Sequence, residues 1–330
     1  MTGSMFFALS LAAWSNLNVV WPTEHSPNDM RASFFSRLQA TESKELQSGN
    51  FGCVRTNGNQ FHEGIDLRSL TRDNRGEPTD IVRSVLPGVV IYTNTNRSNS
   101  SYGRYIIIEH FDSEMSFFSL YAHLASIDKG IARGAQVEGG QRIAVMGRSA
   151  SYTIPKSRAH LHFEICLRLS DNFQSWYSWK KFESRNDHGN FNGMNLVGID
   201  PANFFEETQW NQVNEIRRVL ESEKTAFTVM VSTNTVPDFV RRYPALIDGI
   251  LSEENLAGWR VEFTYYGAPK KWTPLVNKSG VIPEGKLALV DYDKTLIDVD
   301  ACRKMLRFRN GKPIIGPGLQ TSLQLLFGFR

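Results

Sequence analysis

From Phe51 to about Leu169 the chain breaks into short apolar runs set between Gly, Asn and Ser turns. "SVLPGVVIYT", "RYIIIEHF", "SFFSLYAHL", "QRIAVMG" and "HLHFEICL" are rich in β-branched and aromatic residues, as strands are. Strands this short and closely spaced predict an antiparallel sheet or barrel-like core. The polar stretch "TNTNRSNSSYG", residues 93–103, predicts a loop between two of them. "RGAQVEGGQRIAVMG" predicts a strand, a glycine turn and a second strand. Ahead of this block, residues 28–48 mix charge with apolar positions at loose helical spacing and predict one or two short helices.

After Pro201 the pattern changes. "QVNEIRRVLESEK" spaces Val213, Ile216, Val219 and Leu220 along one helix face. A strand "AFTVMVS", a helix "VPDFVRRYPALIDGILSEEN" and strands "WRVEFTYYG" and "KLALVDY" follow. Alternating helix and strand predict a smaller α/β domain. The expected organisation is an N-terminal segment over 1–50, a mainly β domain over 51–205 and the α/β domain over 206–330.

Composition adds exclusions. With 330 residues, 41% hydrophobic and 22% charged, the chain has the core of a globular protein and room for two ordinary domains. A net charge of +3, with no basic motif interleaved with aromatics, argues against a nucleic-acid partner. Three cysteines, Cys53, Cys166 and Cys302, exclude a disulfide framework and a cysteine-based zinc finger; at most one bridge can form, leaving a free thiol. The apolar run Met5–Ala13 reads either as an export signal, without the usual preceding positive charge, or as an apolar strand or helix. No other stretch approaches the ~20 apolar residues of a membrane span.

The chemistry concentrates in histidines. In "RAHLHFEICL", residues 158–167, strand geometry puts His160 and His162 on one face and Leu161 and Phe163 on the other. Such a pair is either polar decoration of a half-buried strand or part of a metal or general-base site. Upstream, "FHEGIDL" offers His62 and Asp66. Four residues of straight strand span about 13 Å, too far for one metal, so these two converge only if the chain bends, and Gly64 permits a bend. "SLYAHLAS" adds His123 in an apolar strand, where a lone histidine is ordinarily a satisfied core residue.

Together, "FHEGID", "YAHL" and "HLHFE", with "GRYIIIEH" and "GQRIAVMG" between them, resemble the lysostaphin-like zinc metallopeptidases, which cut cross-links and bridges in bacterial peptidoglycan. The resemblance covers about residues 50–170. It implies metal ligands at His62, Asp66 and His162, and a catalytic pair at His123 and His160. Two imidazoles and a carboxylate would leave tetrahedral Zn2+ one open position, as catalytic zinc requires. It further implies a peptidoglycan peptide as substrate and a periplasmic, cell-envelope or secreted location. Glu164 lies on the face of His162 and would either orient that ligand or be solvated. His110 sits where the family often has histidine but receives no role, and His25 and His188 fall outside every motif.

The chain departs from the family after the H-x-H strand. An insertion carrying Trp176, Tyr177, Trp179, Lys180 and Lys181 precedes "IDPANFF", which resembles the usual closing segment. It reads as a wall of the substrate groove or as a loop anchored by its aromatics. A catalytically silent wall-binding or hydrolase-activating module on the same fold is the alternative function. Such relatives typically lose metal ligands, and all three positions are filled here. "KLALVDYDKTL", with Asp291 and Asp293, resembles the D-x-D-x-T start of haloacid-dehalogenase phosphatases, but no acidic pair follows it, so it reads as a strand ending in a polar turn.

Overall fold

The computed structural model describes residues 17–24, 33–276 and 286–329. The apolar run Met5–Ala13, His25 and the start of the segment expected to be helical lie outside the described residues. Over the rest of that segment the chain forms two 3-10 turns, Phe35–Arg37 and Leu46–Gly49. Among the described residues, no helix is long and apolar enough to cross a membrane.

The fold is mainly β. A seven-stranded antiparallel sheet runs in the order Leu196–Ile199, His160–Arg168, Ser116–Ala122, Tyr105–Phe111, Gly88–Asn94 and Gln136–Val137, with Ile65–Arg68 also pairing His160–Arg168. Ser116–Ala122 is buried at every position, which accounts for its near-continuous apolar sequence. Along one edge of His160–Arg168, the first half pairs with Ile65–Arg68 and the second half with Leu196–Ile199. Glycine makes that junction possible. A Cβ on Gly64 would stand 2.2 Å from the Phe163 carbonyl oxygen, so close backbone approach demands glycine there. The chain bends at this point, between Gln60–His62 and Ile65–Arg68, as the H-x-x-x-D spacing required.

The two strands expected in "RGAQVEGGQRIAVMG" enter different sheets. Gln136–Val137 edges the large sheet, and Arg142–Val145 lies between Ile81–Arg83 and Ser126–Ile127 in a three-stranded one.

The C-terminal part contributes a four-stranded antiparallel sheet in the order Pro269–Val276, Leu256–Phe263, Phe227–Val231, Leu287–Tyr292. Helix Ile216–Ser222 buries Ile216, Val219 and Leu220, the apolar face read from the sequence. The long helix expected over "VPDFVRRYPALIDGILSEEN" is only Asp238–Arg242. Pro244 disfavours helical backbone at Tyr243, and a 3-10 turn over Pro244–Leu246 follows. Asp293 caps helix Lys294–Val299 by accepting from the Thr295 and Leu296 amides, which explains the D-x-D-x-T motif as a strand running into a capped helix.

The C-terminal part is tied to the large sheet. Cys53 and Cys302 form a disulfide across 249 residues, and Cys166 is a buried free thiol. Trp176 Nε1 donates to Gln324 Oε1 at 3.2 Å, and the Arg168 amide donates to the Tyr243 hydroxyl at 2.9 Å. Trp176 and Tyr177 are buried on helix Phe173–Lys180, so the inserted segment is anchored by its aromatics, and its Tyr177, Ser184 and Arg185 also line a cavity wall.

Near this junction, Asp200 caps helix Pro201–Gln209 by accepting from the Ala202 amide at 2.9 Å. Burial, reinforced by Asp300, raises its carboxyl to about 6. The folded state therefore binds a proton there more tightly than the unfolded chain does, and ionised Asp200 costs stability above that pKa. Asp200→Asn, which can still cap, is expected to stabilise the protein above pH 6 by about 1–3 kcal/mol. The gain should shrink as pH falls and vanish below the unfolded-chain value, about 4. Denaturant melts of both proteins across this range check it; a gain independent of pH would contradict it.

Candidate functional site

Strand register assembles the site. On His160–Arg168, His162 lies opposite Asp66 on one side and opposite Ala122 on the other. His123 is the next residue after Ala122 and His160 is two positions before His162, so four of the five expected residues meet at one corner of the sheet. His62 arrives from the neighbouring hairpin, where it pairs with Gly52. The sequence pattern put His123 inside a strand; it instead follows the end of Ser116–Ala122 with φ of 61°. Left-handed backbone is uncommon for a non-glycine residue and turns this side chain off the strand's alternation.

Each of the four imidazoles has one nitrogen committed to an acceptor. His62 Nδ1 donates to the Asn50 carbonyl at 2.7 Å, and His162 Nε2 to Glu164 Oε1 at 2.8 Å. His123 Nδ1 donates to the Ser149 carbonyl at 2.9 Å, and His160 Nδ1 to the Arg158 carbonyl at 2.7 Å. These bonds hold each ring in place and turn its other nitrogen inward. The inward nitrogens converge. His62 Nε2 lies 3.0 Å from His162 Nδ1, and Asp66 Oδ1 lies 3.1 Å from the former and 3.0 Å from the latter. His160 Nε2 is 3.5 Å from Asp66 Oδ2, and the His123 and His160 ring centres are 4.7 Å apart.

All five residues are buried. Burial pushes His62 down to about 4 and, with His160 and His162 nearby, holds His123 well below the usual imidazole range. Burial lowers His160 as well, against the pull of Asp66. Burial alone would also lower His162, but hydrogen bonds and charge from Asp66 and Glu164 lift it to about 9. For Asp66 burial is likewise overcome: His160, His62 and Arg55 keep it well below the carboxylate range.

His62, Asp66 and His162 each offer one ligand atom, all within 4.8 Å of one another, an arrangement that could hold a metal ion. The Arg55 guanidinium stands in for a cation here: Nη2 lies 2.8 Å from His62 Nε2 and also donates to Asp66.

A cleft of about 770 Å³ opens beside these groups, lined by His62, His123 and His162. Residues 60–173 match the model of Peptidase family M23. This segment is an M23 peptidase domain.

No curated protein matches the chain. Among solved structures, a zinc-containing peptidase from Vibrio cholerae is 26% identical, over 39% of this chain and 35% of that one, with a TM-score of 0.28. The lysostaphin catalytic domain from Staphylococcus simulans is 20% identical over 48% of this chain and 87% of that one, with a TM-score of 0.30. Csd3 from Helicobacter pylori is 19% identical over 46% and 30%, with a TM-score of 0.28. This chain thus spans about a third of the length of the Vibrio cholerae protein.

Within the M23 domain, Glu164 is an orienting partner of His162, not a solvated strand end, and it accepts from the Tyr102 hydroxyl at 2.6 Å. His110 is a satisfied core residue between the Pro87 carbonyl at 2.8 Å and Ser119 Oγ at 2.7 Å. The sequence assigned no role to the cleft residues Arg55, Tyr102, His188 and Arg303. Arg55 and Tyr102 sit in runs whose composition signals only strand or loop, and His188 lines the cleft without belonging to a motif. Arg303 reaches it from the far end of the chain.

Proposed function

We propose that this protein is a zinc-dependent endopeptidase that hydrolyses peptide bonds in peptidoglycan cross-links or bridges. The observation that carries this reading is the convergence of inward-facing imidazole nitrogens and the Asp66 carboxylate at one buried corner of the M23 domain. His62 Nε2, an Asp66 oxygen and His162 Nδ1 would hold the metal, a donor set of two nitrogens and one oxygen that suits zinc with one position left open. When bound, zinc supplies Lewis-acid polarisation of the scissile carbonyl and acidifies an attacking water.

His123 and His160 do the proton work. Their lowered pKa values keep them neutral at pH 7, and because a carbonyl holds Nδ1 of each, Nε2 is the acceptor left; that of His160 lies 3.5 Å from Asp66 Oδ2. Such a nitrogen accepts the proton of the attacking water. Once protonated, it becomes a donor able to hold the developing oxyanion or to protonate the departing amine. The Cys53–Cys302 disulfide fits an oxidising compartment, in keeping with action in the periplasm, cell envelope or medium. In this reading residues 206–330 form a second unit beside the catalytic one over 51–205.

Glu164→Gln keeps a hydrogen-bond acceptor for His162 but removes the charge that makes its imidazole a strong ligand. It is expected to weaken zinc binding by about tenfold or more, measured by competition with a chromophoric chelator. An unchanged zinc affinity would count against Glu164 as the orienting partner.

The function itself is tested by digesting purified sacculi of several cross-link chemistries and identifying the soluble products by mass. Peptides ending at a newly cut bond are expected. Products cut only in the glycan strands, or no products from zinc-loaded protein, would overturn the reading.

A further inference from the structure

Part of the cleft wall comes from the C-terminal region: Arg303, Met305, Thr321 and Leu325 line the same cavity as His62, His123 and His162. Of these, Arg303 alone carries a charge, and it is held in place from several sides. Its guanidinium carbon lies 4.4 Å from the centre of the Phe61 ring, one residue before His62. Its Nε donates to the Tyr266 carbonyl at 3.2 Å. The preceding residue, Cys302, is bonded to Cys53, and the Cys53 amide donates to Asp300 Oδ1 at 2.8 Å. A long flexible cation is thereby fixed before any ligand arrives, and less entropy is lost on binding.

Its terminal nitrogens are only loosely paired. Glu63 Oε1 lies 4.0 Å from Nη1, a long ion pair without a hydrogen bond, Asp300 adds a second nearby negative charge, and the Arg303 side chain is 24% exposed toward the cleft. The other charges lining the cavity, beyond the buried metal ligands, are Arg55, Arg185 and Glu63, so the wall is net cationic. Arg185 is already paired with Asp187 at 2.8 Å. A planar fork whose terminal donors make only a long ion pair, in a half-screened cleft, matches a carboxylate.

We propose that Arg303 is a specificity-determining residue that receives a carboxylate of the bound peptide, so that the cleft selects peptides bearing free carboxylates over those lacking them. This rests on the cleft being the peptide site of the proposed hydrolase. It also gives the C-terminal region a part in substrate recognition: it supplies one wall of the site and the cation on that wall.

The test is a binding measurement on the full-length, zinc-loaded protein, separate from any turnover. A stem tripeptide too short to be cut is titrated calorimetrically in two forms, with its carboxylates free and with all of them converted to carboxamides. The acid form is expected to bind about tenfold tighter or more. Arg303→Gln is expected to bring that ratio near one while leaving the affinity of the carboxamide form, the zinc content and the melting temperature unchanged. Arg303→Lys, which keeps the charge and loses the fork, should retain part of the ratio. Should the glutamine variant melt early or lose zinc, the lysine variant and the wild-type ratio decide.

Three results would overturn the proposal: no preference in the wild type, a ratio that survives Arg303→Gln, or equal weakening of both peptide forms. The last would mark Arg303 as a packing residue only. Sacculus digestion run in parallel separates the two readings. A carboxylate preference without peptide cleavage removes the hydrolase and keeps the site; cleavage without the preference does the reverse.

Discussion

Replacing Asp66 and His162 together with alanine is expected to take the zinc content from about one ion per chain to near zero and to abolish peptide hydrolysis. Both residues sit opposite each other on paired strands, and each points a ligand atom at His62 Nε2. Removing two of three ligands leaves one imidazole, which cannot retain zinc against a chelator. Because both positions are buried, the double variant also creates space in a packed corner, so its fold must be checked by circular dichroism before the metal is counted. Full zinc occupancy in a folded double variant, measured by elemental analysis, would refute the ligand set.

Alanine at His123 or at His160 should behave differently. Each is expected to lower turnover by about 10²–10⁴-fold while zinc stays bound. The distinction comes from geometry. His123 is anchored through Nδ1 to the Ser149 carbonyl, and His160 through Nδ1 to the Arg158 carbonyl. Neither belongs to the three-residue group whose ligand atoms cluster within 4.8 Å. If the histidines act on one reaction coordinate as proposed, the two substitutions should be far from additive. Near-normal hydrolysis by either zinc-loaded variant would reassign its role.

The M23 part of this chain was legible because its candidate site is written in strands. A period of two put His160 and His162 on one face, and the gap between His62 and Asp66 demanded the bend that Gly64 permits. What stayed hidden is long-range. The partnership of Cys53 with Cys302 spans 249 residues, and nothing local marks it. Arg303 enters the cleft from a turn in a region whose sequence signals only a small α/β unit. Arg55 shows the same difficulty at short range, since its place beside Asp66 is set by how the hairpin folds back. In the C-terminal part, strand Pro269–Val276 was masked by its two prolines and adjacent lysines, and Pro244 cut short a helix that apolar spacing alone would have extended.

The most direct test of the account is metal titration against bond cleavage. Full-length protein is stripped of metal, reloaded with zinc in steps and given purified sacculi, and new peptide amino termini are counted by labelling and mass spectrometry. The account predicts no new termini without metal and a linear rise that stops at about one bound zinc per chain. Cleavage that persists in the stripped protein, or its absence with one zinc bound per chain, would contradict it.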